Sequence, residues 1–599
     1  MSILGVAIQN MLAHEDRLIG DTTPVKPHIR AWQKQISDRI AFSRFMLSLE
    51  LPLTHTAVPS LGSIVPTFTR ASTATFRDWE GVLRTVPSGC ARFEGARMVR
   101  NWIQAPTENW ASGGWVKSGI SVSGNRLTAT GANGVIYDNA ALGMGTGKTA
   151  VGSVTLSRVT GTGNVDISTN GGTTWTTVSV TGARVSVSLT GNINGQFAIR
   201  IVTSGDAIDA TYPQLEDVTG QADQAASEYV SVGVLSDPWH GAGVDGVEFF
   251  NTDRDGALLS PQPAYLAEGV RTNKALRSDD YNQAVWNVAG GNFVATDSGI
   301  ASHIAGKNWQ KIEVATSAAT NISQAIVATG TTETLSVHLK KGNKATDANR
   351  LGIYNQSTAS DLYYVSLNYD TGAVTELFGS GSYAIEVIGT GEYRLSVTVS
   401  SGISAGNNLF VYHGYSGNPG VAGDYFYAIG SQLEAGSFAS TYIPTTTAAV
   451  TRNADVLTYP SAGNISGTVG WCYAEFQNVT GNNSSGPRVL GNGIGDGNSP
   501  MLRVANTYEM RFYDGTNYST GPTITSSTTA DQKVSSSWGG ATGQVAANGT
   551  VASATAFDGD MSLGATLSIG TDNGTNSIFG TIRNVRIGQR QLSASEMQA

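Results

Sequence analysis

With 599 residues, 14% of them charged, 72 glycines and a formal net charge of −9, the chain is too long for one core and too rich in glycine for a typical helical enzyme. The acidic balance leaves no basic field to neutralise phosphates, which excludes nucleic acid as a partner. The two cysteines, Cys90 and Cys472, lie far apart in sequence, which argues against a disulfide framework and for assembly in a reducing cytoplasm.

The first nine residues are apolar but lack a preceding basic segment and a small-residue cleavage site, so no export signal and no membrane insertion are expected. Ile29, Trp32, Ile36, Ile40 and Leu47 then recur at helical spacing between Pro24/Pro27 and Pro52, which reads as a helix for packing, oligomerisation or attachment. Beyond residue 60 the period changes to two, as in Val185-Ser186-Val187-Ser188-Leu189 and Leu335-Ser336-Val337-His338-Leu339. Such alternation gives one buried and one wet face, the signature of antiparallel sandwich strands.

An internal repeat organises the middle of the chain. Asp78-Trp79-Glu80-Gly81-Val82-Leu83 is echoed by Arg254-Asp255-Gly256-Ala257-Leu258, and Glu94-Gly95-Ala96-Arg97 by Glu268-Gly269-Val270-Arg271. Trp110 and Trp115 after Asn101 have their counterpart in Trp286 after Asn273, and each copy ends in Gln-Leu-Glu, at Gln214–Glu216 and Gln432–Glu434. The second copy is longer inside its body, as loop insertions into a shared sandwich would make it. A third alternating unit follows, closing on Gly580–Ile587 and a short helix with Ser593 as N-cap and Glu596 three residues on. The expected fold class is mainly β: multi-domain antiparallel β-sandwiches with a short N-terminal helical region. The expected domains are an N-terminal helical region at 1–60, a first sandwich at 61–222, a connector at 223–275, a second sandwich at 276–457 and a final unit at 458–599.

Phe68–Phe76, Tyr265–Asn273, Gln432–Thr445 and the connector Ser227–Val234 with Trp239–Val247 resemble phage tail-fibre and head-spike proteins that carry carbohydrate-binding-module-like jelly rolls. The final unit resembles a concanavalin-like, laminin-G-like lectin domain. The resemblance covers roughly residues 61–599. It implies a non-enzymatic adhesin that binds bacterial surface polysaccharide, contacts other virion proteins through its N-terminal region, forms a homotrimer, and is assembled into the virion in the host cytoplasm and released by lysis. Copy one lacks the Gly-Ser-Phe continuation after Gln214-Leu215-Glu216, so it is the sandwich expected to have lost sugar binding. A tailspike-like depolymerase and a purely architectural head, neck or collar protein are the alternatives.

Several motifs reduce to turns. Gly143–Thr149 lacks the first glycine of a phosphate loop and runs into a strand, and Gly402–Gly406 spells a nucleophile elbow without the helix behind it. Ser168–Trp175 reads as a single Asp-box hairpin. Asn251, Asp253 and Asp255 place oxygens at alternate positions with Gly256 at the turn, a candidate calcium loop, although Gln262 stands where a bidentate Glu is needed. The seven histidines show no zinc spacing, and sequence brings no pair of carboxylates together for glycoside cleavage. Glycan binding needs flat aromatic faces, for which Trp110, Trp115, Trp286, Trp309, Tyr363 and Tyr364 are the candidates in the sandwiches and Tyr508, Tyr518 and Trp538 in the final unit. Glu216 and Glu434 are expected either to pair with the Arg97 and Arg271 segments or to hold a structural calcium.

Overall fold

The computed structural model describes residues 47–598 apart from 62–65, 140–143, 194, 234–240, 288–292, 316–320, 344–348, 416–420, 479–486, 493–498, 505–506, 514–517, 526–530, 558–560 and 562. The helical stripe from Ile29 to Ile40 lies outside the described residues. Leu47 does not continue it: Leu47–Leu51 is a strand, with Leu49 and Leu51 wholly buried, and it pairs antiparallel with Gly580–Gly588.

Antiparallel ladders build nearly everything described, because the alternating segments can bury one side of each strand and wet the other. Helix is confined, among the described residues, to Ala594–Met597. There the Glu596 carboxylate accepts the Ser593 amide at 2.9 Å, the reach-back half of a capping box.

Three sandwiches form, but not in the linear order that the sequence suggests. The final unit is a hub to which distant parts of the chain contribute strands. One of its sheets runs Thr542–Ala547, Gln532–Gly539, Gly470–Asn478, Gly580–Gly588, Ala264–Ala267 and Phe93–Glu94, and the other begins with Thr67–Thr69 beside Val456–Pro460. Its core draws on Leu49, Phe76, Phe93, Phe249 and Tyr265 as well as Leu457, Trp538 and Ile587. The first sandwich has its own core, from Ile103 to Leu215, and the second another, from Ala275 to Leu433. Both are excursions from the hub. The expected assignments of the leading segment and the connector are corrected accordingly: residues 47–51, the leading motif and much of the connector contribute to the C-terminal sandwich, whereas the first core ends at Leu215 and the second runs from Ala275 to Leu433, close to the expected limits at 222, 275 and 457.

The motif residues meet in a buried ionic knot where hub and second sandwich join. Asp455 accepts Arg70 at 2.7 Å on one oxygen and Arg92 on the other. Glu268 accepts Arg92 at 2.9 Å and Arg452 at 2.7 Å, together with the Thr441 hydroxyl at 2.5 Å and its amide at 2.9 Å. The five charged side chains are at most 4% exposed.

The repeat is a repeat of hydrogen bonds. Asn101 donates to the carbonyls of Pro213 and Val230 and accepts the amides of Ile103 and Leu215. Asn273 does the same with Ser431, Ile443, Ala275 and Leu433. Gln214 accepts the Val230 amide at 2.7 Å and Gln432 the Ile443 amide at 2.7 Å. Ser227-Glu228-Tyr229-Val230 is thus the counterpart of Ser440-Thr441-Tyr442-Ile443, and copy one has the closing lock that its sequence seems to lack. The tryptophans also match: Trp115 and Trp286 each donate to a carbonyl nine residues earlier, of Pro106 and Arg277. Each is packed on an aromatic ring, Trp110 at 4.4 Å and Tyr281 at 4.6 Å.

The two glutamates divide. Glu434 pairs with Arg271 at 3.5 Å and accepts the Ser440 amide, whereas Glu216 accepts the Ser227 amide and Arg97 pairs instead with Glu228 at 2.6 Å. Replacing Asn273 by Ala strands two carbonyls and two amides in a site with no exposure. Each unmet buried group costs about 1–3 kcal/mol, so a urea titration of Asn273→Ala is expected to show a loss of at least ~2 kcal/mol.

Candidate functional site

The five-stranded sheet of the second sandwich runs Asn321–Val327, Asn408–Tyr415, Asn349–Asn355, Ser360–Leu367 and Val374–Gly379. Period two sends Leu409, Val411 and His413, Leu351 and Ile353, and Tyr363, Val365 and Leu367 inward, all of them fully buried. The alternate positions of the same strands are Phe410 and Tyr412, Arg350 and Tyr354, and Tyr364. Phe410, Tyr412, Tyr354 and Arg350 remain partly exposed.

Register brings these side chains together. Tyr354 pairs across from Phe410, and Gly352 stands between Tyr412 and Tyr364. The rings form a near-parallel row: Tyr354 to Phe410 at 6.4 Å and 27°, Phe410 to Tyr412 at 6.0 Å and 22°, and Tyr412 to Tyr364 at 6.1 Å and 22°. Gly352 makes the row continuous, because a Cβ there would stand 1.9 Å from Cδ1 of Tyr364. Gly352→Ala is therefore expected to push Tyr364 off its seat at a cost of about 1–3 kcal/mol, read as a lower urea midpoint together with weaker ligand binding.

Polar groups border the row. Arg350 lies over Tyr364 with its guanidinium carbon 3.9 Å from the ring centroid, and its Nε is buried with no hydrogen-bond partner among the described residues. The Tyr364 hydroxyl donates to Asp361 at 2.6 Å. Burial first, and then the Asp361 carboxylate, push this phenol up, so it stays a neutral donor near pH 7. Phe378, 54% exposed, pairs opposite Tyr364 and extends the apolar strip to the sheet edge. The arrangement offers flat rings to the CH face of a pyranose, with a guanidinium and a carboxylate alongside for hydroxyls.

The corresponding strands of the first sandwich carry no such row. There Arg200 pairs with Asp166 at 2.6 Å and lies over Trp175, the tryptophan of the Ser168–Trp175 turn. Asn170 Oδ1 accepts the Thr174 amide in that turn, as an isolated hairpin requires.

Most of the aromatic residues named from sequence lie in the cores. Trp110, Trp115, Trp286, Trp309, Tyr363, Tyr508 and Trp538 are at most 2% exposed, so no sugar ring can lie on them. Their size makes them the best filling for a sandwich interior. Trp286 and Trp538 satisfy their indole N–H groups on the carbonyls of Arg277 and Ser466. Tyr364, 1% exposed, likewise offers no face to a sugar; it adjoins the candidate site as the buried end of the row. The side chain of Tyr518 lies outside the described residues. Tyr354, Phe410 and Tyr412 went unnamed although Leu409-Phe410-Val411-Tyr412 carries a signal: a strand apolar on both faces must cover something on each.

The donors at Asn251, Asp253 and Asp255 do not fit a calcium loop. Asp253 Oδ1 accepts the amides of Asp255 and Ala257, as Asp78 Oδ1 accepts those of Glu80 and Val82 in the first copy. The carboxylate closes a turn in both copies. Among the described residues no group of three or more His, Cys, Asp or Glu is placed to hold a metal ion.

A second feature is a cavity of about 570 Å³ between hub and second sandwich, lined by Glu94, Glu268, Glu386, Arg394, Phe438 and Phe579 among others. Glu268 is committed to the ionic knot and Glu386 pairs with Arg77 at 2.6 Å. Burial pushes Glu94 up to about 7, against the opposing pull of the Arg77 amide and guanidinium.

No protein-family model and no curated protein matches this chain. Among solved structures, the CBM22-1–CBM22-2 tandem domain of Paenibacillus barcinonensis Xyn10C is 12% identical, with TM-score 0.20, over 57% of this chain and 98% of that one. Trypanosoma rangeli sialidase is 10% identical, with TM-score 0.19, over 89% of this chain and 98% of that one. Its complex with 2,3-difluorosialic acid covers 90% and 98% at the same TM-score and identity. Likeness this weak carries no weight for function.

Proposed function

We propose that the chain is a non-enzymatic, glycan-binding adhesin of a phage fibre or spike, and that the outer face of the second sandwich holds the sugar. The observation that carries this reading is the row Tyr354, Phe410, Tyr412 and Tyr364 with Arg350 beside it. Three partly exposed rings, Tyr354, Phe410 and Tyr412, in a near-parallel row that the buried Tyr364 ends, bordered by an unpaired donor, suit a carbohydrate better than a protein core. The phage assignment rests on the resemblance of Phe68–Phe76, Tyr265–Asn273 and Gln432–Thr445. In this reading the protein is a homotrimer attached to the virion through its N-terminal region, which multiplies weak single sites by raising effective concentration. Full-length protein on an array of bacterial surface glycans is expected to bind at least one polysaccharide. Silence on every array would favour the purely architectural reading.

A depolymerase is the second reading, favoured by the junction cavity in which Glu94 is pushed up to about 7 beside Glu386. A carboxyl poised near neutrality beside a second carboxyl can divide acid and base roles. Loss of viscosity from host polysaccharide, abolished by Glu94→Gln, would support cleavage, whereas unchanged viscosity supports the adhesin.

A further inference from the structure

A separate cavity of about 410 Å³ opens where the first sandwich meets the hub, lined by Arg84, Arg100, Trp102, Met144, Lys148 and Asp217 among others. Two of its cations are already paired, Arg84 with Asp78 at 2.5 Å and Lys148 with Asp217 at 3.1 Å. Arg100 makes no ion pair among the described residues, and its guanidinium carbon lies 3.9 Å from the centroid of the Trp102 ring. A guanidinium keeps its charge when partly buried, so the cavity sets a positive charge against an indole; the nearby Asp217 carboxylate attracts it without an ion pair and is itself held by Lys148, and Glu216 also lines the space.

The duplicated plan shows what this corner looks like when it is closed. Asn101 and Asn273 occupy equivalent positions, and the next residue is Trp102 in the first copy and Lys274 in the second. Lys274 forms a buried pair with Glu333, which sits across from Ala435 just after Gln-Leu-Glu. The position equivalent to Glu333 is Ala150, which sits across from Asp217 just after the same tripeptide. Copy one therefore has an indole and a methyl group where copy two has an ion pair, and it is the indole that lines the cavity.

We propose that this cavity binds an acidic sugar residue of a polysaccharide, with its carboxylate on Arg100 and its ring against Trp102. A neutral sugar would bring the guanidinium no carboxylate at bonding distance, so the site discriminates by charge. The site is independent of the aromatic row on the second sandwich.

Calorimetry on the full-length protein tests the assignment with three probes, oligogalacturonate, oligoglucuronate and oligosialate, each beside its carboxyl-reduced neutral form. At least one acidic probe is expected to bind, its reduced form at least tenfold more weakly. Arg100→Gln is expected to weaken the acidic probe at least tenfold with an unchanged melting temperature. Thr73→Trp, at an exposed position of the lining, is expected to give the same loss by filling the opening. Tyr412→Ala is expected to leave this binding unchanged, which separates it from the row on the second sandwich. Failure of all three acidic probes, equal binding of acidic and reduced forms, or full binding by both cavity variants would overturn the assignment.

Discussion

Tyr412→Ala and Phe410→Ala are each expected to weaken glycan binding ten- to a hundredfold while leaving the fold intact. Both rings are partly exposed in the free protein, so truncation removes little from the core. On binding, each ring would bury its open face against a sugar, a gain of about 1.5–3 kcal/mol for a large apolar side chain, which corresponds to that range in Kd. Arg350→Gln is expected to have a smaller effect, because it removes a donor and not a face. Titration of the glycan identified on the array, alongside thermal melting, checks these values. Unchanged affinity in the Phe410→Ala/Tyr412→Ala double variant would place the sugar elsewhere.

The largest stability effect is expected at Glu268. The carboxylate ties Arg92 from the leading motif to Arg452 and Thr441 near the end of the second excursion. Burial works against its ionisation, but Arg452 and Arg92, with the Thr441 hydrogen bonds, hold it down to about 2. Glu268→Gln leaves the buried Arg452 guanidinium without its paired carboxylate and takes one of two from Arg92, which keeps Asp455, at a cost of about 3–5 kcal/mol. For domains of this size each kcal/mol moves Tm by about 2–4 °C, so a fall of roughly 10 °C is expected by calorimetry. The sign in pH follows from the depressed value. The contribution is fully present above the ordinary carboxylate range near 4.5 and is lost as pH falls toward 2. Glu268→Gln should flatten acid unfolding in that window, and an acid profile like that of the parent would show that the knot does not hold the hub together.

The buried knot also gives a physical account of the sequence motifs. Arg70, Glu268 and Thr441 sit within Phe68–Phe76, Tyr265–Asn273 and Gln432–Thr445, the segments that carry the family resemblance. Their residue types are set by mutual neutralisation inside the protein, not by contact with a ligand. The aromatic row lies outside all of these segments. A resemblance built on structural motifs could therefore point to the class of fold and still miss the surface that would do the binding.

Period-two alternation, turn residues and the repeated Gln-Leu-Glu sufficed for antiparallel sandwiches and for two copies of one plan, because a strand's side-chain period and a turn's backbone demands are local properties. The same local reading chose the largest aromatic residues for the site and was misled, since Trp286 or Trp538 looks alike in sequence whether it fills a core or faces water. Tertiary structure decided three things that no local pattern holds: that Leu47–Leu51, Phe93–Glu94 and Ala264–Ala267 complete the last sandwich, that Gly352 clears a seat for Tyr364, and that Phe410 and Tyr412 face outward beside Tyr354. Each depends on which strands become neighbours, and strand pairing is set by burial between segments separated by as little as twelve residues, at Gly352 and Tyr364, or by more than five hundred, at Leu47 and Gly588.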